Sequence, residues 1–154
     1  MQLQDNAQTR VPLKRMRPNA QVPQYATQGS AAADLYAAPD APITIEPQGR
    51  AVIPTGIALA LPDAGHVAFV FARSGLAVKH GLALSNGVGV IDSDYRGEIS
   101  VGLVNLSDTA YTVQIGERIA QMCILPVEQA LFVTVDTLDE TARGAGGFGS
   151  TGRE

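Results

Sequence analysis

At 154 residues, with 45% hydrophobic content and a formal net charge of −4, the chain is long enough for one domain with a real core and too acidic for a broad electrostatic grip on nucleic acid. Only 5% of residues are aromatic and none is Trp, so the core must be built from Val, Ile, Leu and Ala, while sixteen glycines and nine prolines call for many turns and short strands. The lone cysteine excludes an internal disulfide, no apolar run has membrane-spanning length, and the polar start MQLQDNAQTR lacks a signal-peptide apolar region, so a cytoplasmic protein with no membrane partner is expected.

In chain order, residues 1–10 read as disordered and Val11–Met16 as a first strand, followed by extended, turn-rich polypeptide over 17–31. In Ala31–Ala37, AAADLYA, Asp34 is the only charge in an apolar setting, which ordinarily marks a turn or a cap. Ile43–Pro47 and Ala51–Pro62 read as strands, the second broken at Pro54–Gly56, and His66–Ala72 as another. Arg73-Ser74-Gly75 ends that pattern abruptly. Ser74 is expected to cap a short helix, Gly75–Lys79, stopped by Gly81. An Arg, a hydroxyl and a glycine at a helix start have the chemistry of an anion site, against the plainer reading of a simple cap beside a solvated Arg. His66 and His80 are the only histidines, so no His-based metal cluster can be built.

After Leu82–Leu84 and the turn Ser85-Asn86-Gly87 comes the most informative stretch, Gly87–Val104, GVGVIDSDYRGEISVGLV. Val88, Val90 and Ile91 precede a polar turn bearing Asp92, Asp94 and Tyr95; Ile99, Val101 and Leu103 follow it, alternating with Ser100, Gly102 and Val104. The spacing predicts a β-hairpin with a chemically loaded tip, although Asp, Ser and Gly are also ordinary turn residues. A turn over Asn105–Asp108 leads to strands at Ala110–Ile115 and Glu117–Leu125, joined by Gly116, and a last strand is expected at Ala130–Val135. Cys123 lies in the apolar run Ile119–Leu125 and reads as a buried, inert thiol, and Gln121 is a polar residue in the same run.

The tail Arg143–Gly152, RGAGGFGSTG, cannot pack a core, and without a lysine or a strand–helix context it is not a P-loop. A disordered end explains most of it, but not the lone Phe148 and nearby Arg143, which suit a lid that orders on a ligand: glycine backbone can approach phosphates and Phe can stack on a base. No helix-period pattern of any length occurs. The expected architecture is all-β, a jelly-roll-like sandwich or barrel over 11–138 with a flexible glycine-rich arm over 139–154.

These segments together resemble the trimeric dUTP pyrophosphatase (dUTPase) family of bacterial type. Its motifs stand in order: AADLYA at 32–37, ARSGLAVKHGL at 72–82, GVGVIDSDYRGEI at 87–99, GERIAQMCILP at 116–126 and RGAGGFGSTG at 143–152. Ala33 replaces a common aromatic or aliphatic residue and Ala72 a common Pro; neither departure removes a functional side chain. The resemblance implies a jelly-roll homotrimer with active sites at subunit interfaces, a Mg²⁺ cofactor, and hydrolysis of dUTP to dUMP and diphosphate, which limits uracil incorporation into DNA and supplies dUMP for dTMP synthesis.

Carried over motif by motif, the resemblance makes Asp92 the general base for a water attacking the α-phosphorus. Tyr95 packs on the deoxyribose; Asn86 and the backbone of Val90 and Ile91 read uracil, with Ser100 adding a contact. Arg73, Ser74, Gly75 and Gln121 hold the triphosphate, and Asp34 holds a Mg²⁺-bound water rather than the metal. Arg143 engages the phosphates and Phe148 covers the uracil as the arm closes, with Gly149 also substrate-binding. Asp94 is left as turn chemistry. A dCTP deaminase of the same fold would need a catalytic Glu where Gly102 stands, and a non-catalytic nucleotide-binding jelly roll would need neither Asp92 nor a lid.

Overall fold

The structure, a computed structural model, describes residues 9–147; residues 1–8 of the expected disordered start, and Phe148 and Gly149 of the expected lid, lie outside the described residues. The elements in order are β1 (Leu13–Arg15), β2 (Gln24–Tyr25), β3 (Ala33–Tyr36), β4 (Ile43–Ile45), β5 (Arg50–Pro54), β6 (Ile57–Leu59), β7 (His66–Ala72), α1 (Ser74–His80), β8 (Leu82–Leu84), β9 (Gly89–Ile91), β10 (Ser100–Asn105), β11 (Tyr111–Val113) and β12 (Arg118–Pro126). A five-stranded sheet runs β2-β3-β12-β7-β9 and a three-stranded sheet β5-β10-β8, with two-stranded pairs β1-β6 and β11-β4. All pairings are antiparallel. This is the all-β, jelly-roll-like sandwich expected from the sequence.

The core lies between the sheets. The five-stranded sheet contributes Leu35, Ala68, Val70, Ala120 and Met122, and the three-stranded sheet Ile53, Leu82, Leu84, Val101 and Leu103. Strand side chains alternate between faces, so the apolar-every-second-residue pattern of Ile99, Val101 and Leu103 puts all three inside. Asn105, next in that series, is fully buried and satisfied: its Nδ2 donates to the carbonyls of Ile45 (2.9 Å) and Thr109 (2.8 Å), while its Oδ1 accepts from the Ser107 amide (3.0 Å) and hydroxyl (2.7 Å). It therefore pins the end of β10 to β4 and to the turn that follows.

The helix starts one residue earlier than expected, and its cap is Arg73, not Ser74. Arg73 has extended backbone (φ −92°, ψ 129°) and no side-chain capping bond, because a guanidinium only donates and cannot accept from helix amides; it bonds Asp34 instead. Gly81 stops the helix as expected: at φ 67° its amide bonds back to Ala77 and Leu76, and a Cβ there would lie 2.9 Å from the Ser107 backbone nitrogen. At the same end, the His80 ring packs 4.8 Å from the Tyr111 ring. The Tyr111 hydroxyl donates a short hydrogen bond to Glu117; burial first and that carboxylate second push its pKa up to about 12.

Three further expectations are corrected. Gly87–Val104 is not a hairpin: β9 pairs with β7 and β10 with β5 and β8, so the polar turn crosses from one sheet to the other. Ala130–Val135 forms no strand, and Leu131, Phe132 and Val133 are exposed, because nothing in the described chain offers that run a partner. Cys123 is only half-buried, with its thiol 3.4 Å from the Ala31 carbonyl. Among the described residues no helix is long and apolar enough to cross a membrane.

Replacing Asn105 by Ala removes the buried donor to the Ile45 carbonyl, the donor to the Thr109 carbonyl and the acceptor of the Ser107 amide. Urea denaturation of Asn105→Ala is expected to show a loss of about 3 kcal/mol at unchanged m value.

Candidate active site

Most of the residues picked out in the sequence fall into two clusters. The first is a narrow cleft of about 130 Å³ lined by Val90, Ile91, Asp92, Tyr95, Glu98, Ile99 and Ser100. One wall is β9, the edge strand of its sheet, bonded only to β7 on its other side. An edge strand leaves alternate backbone N–H and C=O groups unpaired by a ladder, and here that edge belongs to Val90 and Ile91. The opposite wall is the leg leading into β10. Asp92 closes the near end: its carbonyl accepts from the Tyr95 amide at 3.2 Å, which makes Asp92–Tyr95 a tight turn. Arg96 donates to the carbonyls of Ser93 (2.7 Å) and Tyr95 (3.0 Å) and stiffens it. The Asp92 side chain is exposed and also borders a broader groove with His66, Phe69, Asp94 and Val127.

Tyr95 lies along the cleft rim, 45% exposed, with its hydroxyl donating to the Glu98 carbonyl at 3.0 Å. This pose needs Gly97, since a Cβ there would come within 2.4 Å of the Tyr95 hydroxyl oxygen.

The second cluster surrounds Asp34. β3 and β7 flank β12, so Asp34 lies directly opposite Gln121, and Gln121 opposite Phe71. Asp34 is 7% exposed, and each carboxylate oxygen meets one arginine: Oδ1 accepts from Arg73 Nε at 2.9 Å and Oδ2 from Arg118 Nη1 at 3.2 Å. Arg73 Nη1 also donates to the Arg118 carbonyl at 3.2 Å. A bulge between Arg118 and Ala120 sets two β12 residues against one on β3 and turns Arg118 toward Asp34. Gln121 donates to the Ala72 carbonyl at 2.9 Å. Two guanidiniums on one carboxylate leave a net positive site. Ser74 and Gly75 lie exposed beside it, and a side chain at Gly75 would meet nothing within 4 Å.

A dUTPase family model matches residues 18–152. The chain belongs to the dUTPase family. It is 61% identical over 131 residues to a deoxyuridine 5'-triphosphate nucleotidohydrolase of Desulfitobacterium hafniense, covering 85% of this chain and 87% of that one. It is 52% identical over 137 residues to the same-named protein of Ralstonia nicotianae (89% and 93% covered). Among solved structures, the Staphylococcus bacteriophage 80alpha dUTPase with dUpNHpp superposes with a TM-score of 0.85 at 27% identity, covering 93% of this chain and 98% of that one.

This dUTPase-family chain thus gathers Val90, Ile91, Asp92, Tyr95 and Ser100 in one place and Asp34, Arg73 and Gln121 in another. Asn86 stands apart, exposed on the turn after β8, and Arg143 donates to the Gly146 carbonyl at 2.8 Å in an exposed turn. Sequence reasoning missed Arg118, at the head of β12, and Glu98, just after the polar turn. Its partner Arg17 is 81 residues away, beyond any local signal.

Asp34→Ala leaves the half-buried Arg73 and the more exposed Arg118 without their shared carboxylate. Thermal and urea denaturation are expected to show a loss of about 1–3 kcal/mol, and Asp34→Asn, which keeps one acceptor, a smaller one.

Proposed function

We propose that the protein hydrolyses dUTP to dUMP and diphosphate. The observation that carries this reading is the cleft: an unpaired strand edge for a base, an aromatic ring on its rim and a carboxylate at its end, in a chain whose named relatives are deoxyuridine 5'-triphosphate nucleotidohydrolases. The edge backbone of Val90 and Ile91, with Asn86 and Ser100, reads uracil. Backbone donors and acceptors have fixed polarity, so cytosine would leave buried groups unpaired at about 1–3 kcal/mol each. The Tyr95 ring packs on deoxyribose, where a 2′-hydroxyl would clash. Asp92 accepts a proton from a water whose oxygen attacks the α-phosphorus, and the bond to the bridging oxygen breaks in line as diphosphate leaves.

Arg73, Ser74, Gly75 and Gln121 bind the triphosphate, and Arg118 joins them through Asp34. A Mg²⁺ ion fits this chemistry. Among the described residues no three His, Cys, Asp or Glu side chains converge, and Mg²⁺ characteristically binds substrate phosphates and waters with few carboxylates. Asp34 still has lone pairs free beyond its two arginines and would hold a metal-bound water. Bound there, the ion would neutralise phosphate charge. Arg143 adds charge from the arm, which brings Phe148 and Gly149 over the base and excludes water.

The same reading makes the protein a homotrimer with sites shared between subunits. A cleft of about 130 Å³ is small beside the roughly 300–1,000 Å³ usual for ligand pockets. The two clusters also sit at opposite ends of β7: Ile91 lies opposite Ala68, while Arg73 is five residues further along, roughly 16 Å at strand rise. Leu131, Phe132 and Leu138, each more than 80% exposed, supply apolar surface for a neighbouring copy to cover. A β domain over 11–138 with a closing arm over 139–154 fits this assembly, and a nucleotide substrate places the work in the cytoplasm.

With dUTP, dCTP, dTTP and UTP offered separately, dUTP alone should be turned over rapidly, in the presence of Mg²⁺, with diphosphate as the first product. Ammonia from dCTP, or orthophosphate appearing first, would exclude the reading. In the same assay Asp92→Asn should keep nucleotide binding and lose about 10²–10⁴-fold in turnover. Light scattering should give a trimer mass for the wild type and a lower mass for Leu131→Asp combined with Phe132→Asp, with the β circular dichroism retained.

A further inference from the structure

At the wall of the cleft, whose lining includes Glu98, sits an ion pair with no part in the chemistry above. Arg17, just past β1, grips Glu98 with two bonds: Nε to Oε1 at 2.7 Å and Nη2 to Oε2 at 3.3 Å. The Gly56 amide adds a third, to Oε1 at 2.9 Å. Both side chains are largely covered, with relative exposures of 30% and 23%. Arg17 also reaches Asp40, but at 3.5 Å and with Asp40 97% exposed that contact adds little.

The peptide that follows Glu98 is held as well. Its N–H, on Ile99, donates to the Ile57 carbonyl at 2.8 Å, which orients the Glu98 carbonyl the opposite way, toward the hydroxyl of Tyr95. One residue on, the Ile99 carbonyl accepts from both the amide (3.2 Å) and the hydroxyl (2.6 Å) of Thr55. Glu98 is thus fixed through its side chain by Arg17 and through its peptide by the segment Thr55–Ile57, and the aromatic ring on the cleft rim rests on its carbonyl.

We infer that Arg17 is a positioning residue for sugar recognition: by clamping the Glu98 carboxylate it fixes the carbonyl that holds Tyr95 at the height where deoxyribose fits and ribose does not. This rests on the reading in which Tyr95 faces the sugar. Only a forked guanidinium can take both carboxylate oxygens while Gly56 takes a third bond, so Lys is a poor replacement.

The test is a double-mutant cycle between Arg17 and Tyr95, which do not touch. Arg17→Met should raise KM for dUTP and lower the dUTP-to-UTP ratio of kcat/KM by roughly five- to tenfold with kcat nearly unchanged, and Arg17→Lys should recover only part of that. In a Tyr95→Phe background, where the hydroxyl is already gone, Arg17→Met should no longer change the ratio. An unchanged ratio in the first case, or the same change in both backgrounds, would overturn the inference. Glu98→Gln, which keeps the Oε1 acceptor for Gly56 but loses the charge and the bond from Arg17 Nη2, serves as the second variant should Arg17→Met fold poorly, and should shift the ratio in the same direction. Should wild-type protein not hydrolyse dUTP at all, the functional reading fails by itself. The clamp is then judged by the Tyr95 ring signal in a ¹³C-tyrosine NMR spectrum, assigned with Tyr95→Phe: it moves in Arg17→Met if the clamp acts on Tyr95, and a signal left in place overturns it.

Discussion

The buried carboxylate of Asp34 must have its charge met where it sits, because a charge taken out of water without a partner costs more than a small domain can spare. Arg73 and Arg118 meet it, one per oxygen. Their chain positions give the arrangement its reach. Asp34 is on β3, Arg118 at the head of β12, and Arg73 at the junction of β7 and α1, so one side chain ties together the three inner strands of the sheet. The bulge in β12 serves this arrangement by turning Arg118 toward the carboxylate, and Arg73, a donor that cannot cap the helix with its side chain, directs its donors to Asp34.

The polar turn after β9 obeys a different constraint. Had β9 and β10 formed a hairpin, their facing backbone groups would have satisfied each other and nothing would be left to read a ligand. Because each strand pairs within its own sheet, the chain must cross the gap, and the crossing leaves a slot with a free strand edge on one side. The other side is rigid for reasons outside the slot: Thr55, fully buried, and Ile57 hold the leg from behind. A backbone that is to read a base in the proposed way must not move, and bracing against the core would keep it still.

Period-two apolar patterning made most strands legible, since burial of one face is a local property of each segment. The stop at Gly81 was equally legible, because the left-handed turn demands glycine locally. Pairing was not: whether Val90 faces Val101 or Phe69 depends on the whole sheet, and Phe69 won. The run at Ala130–Val135 has the composition of a strand but finds no edge in its own chain. In the site, Asp92, Tyr95, Arg73 and Gln121 stood out by motif resemblance, whereas Arg118 and the Arg17–Glu98 pair were invisible because their meaning lies in partners 84 and 81 residues away.

Those failures of local reading have a common physical content. Val90 is 57% and Tyr95 45% exposed, and Leu131 and Phe132 stand 89% and 92% in water, all in a chain whose core is otherwise closed. Apolar surface of this kind, next to polar groups set with some care, is costly for a lone chain to maintain. A charged turn is also a weak catalyst while water surrounds it, because its electrostatic effect is screened. Both problems would have one remedy in the assembly proposed above: neighbouring copies and substrate would cover the apolar surface and, by excluding water, strengthen the interactions of the two arginines with phosphate and of Asp92 with the attacking water. On that view the single chain is built incomplete because a site closed by a partner and a ligand can be open for entry and dry for reaction.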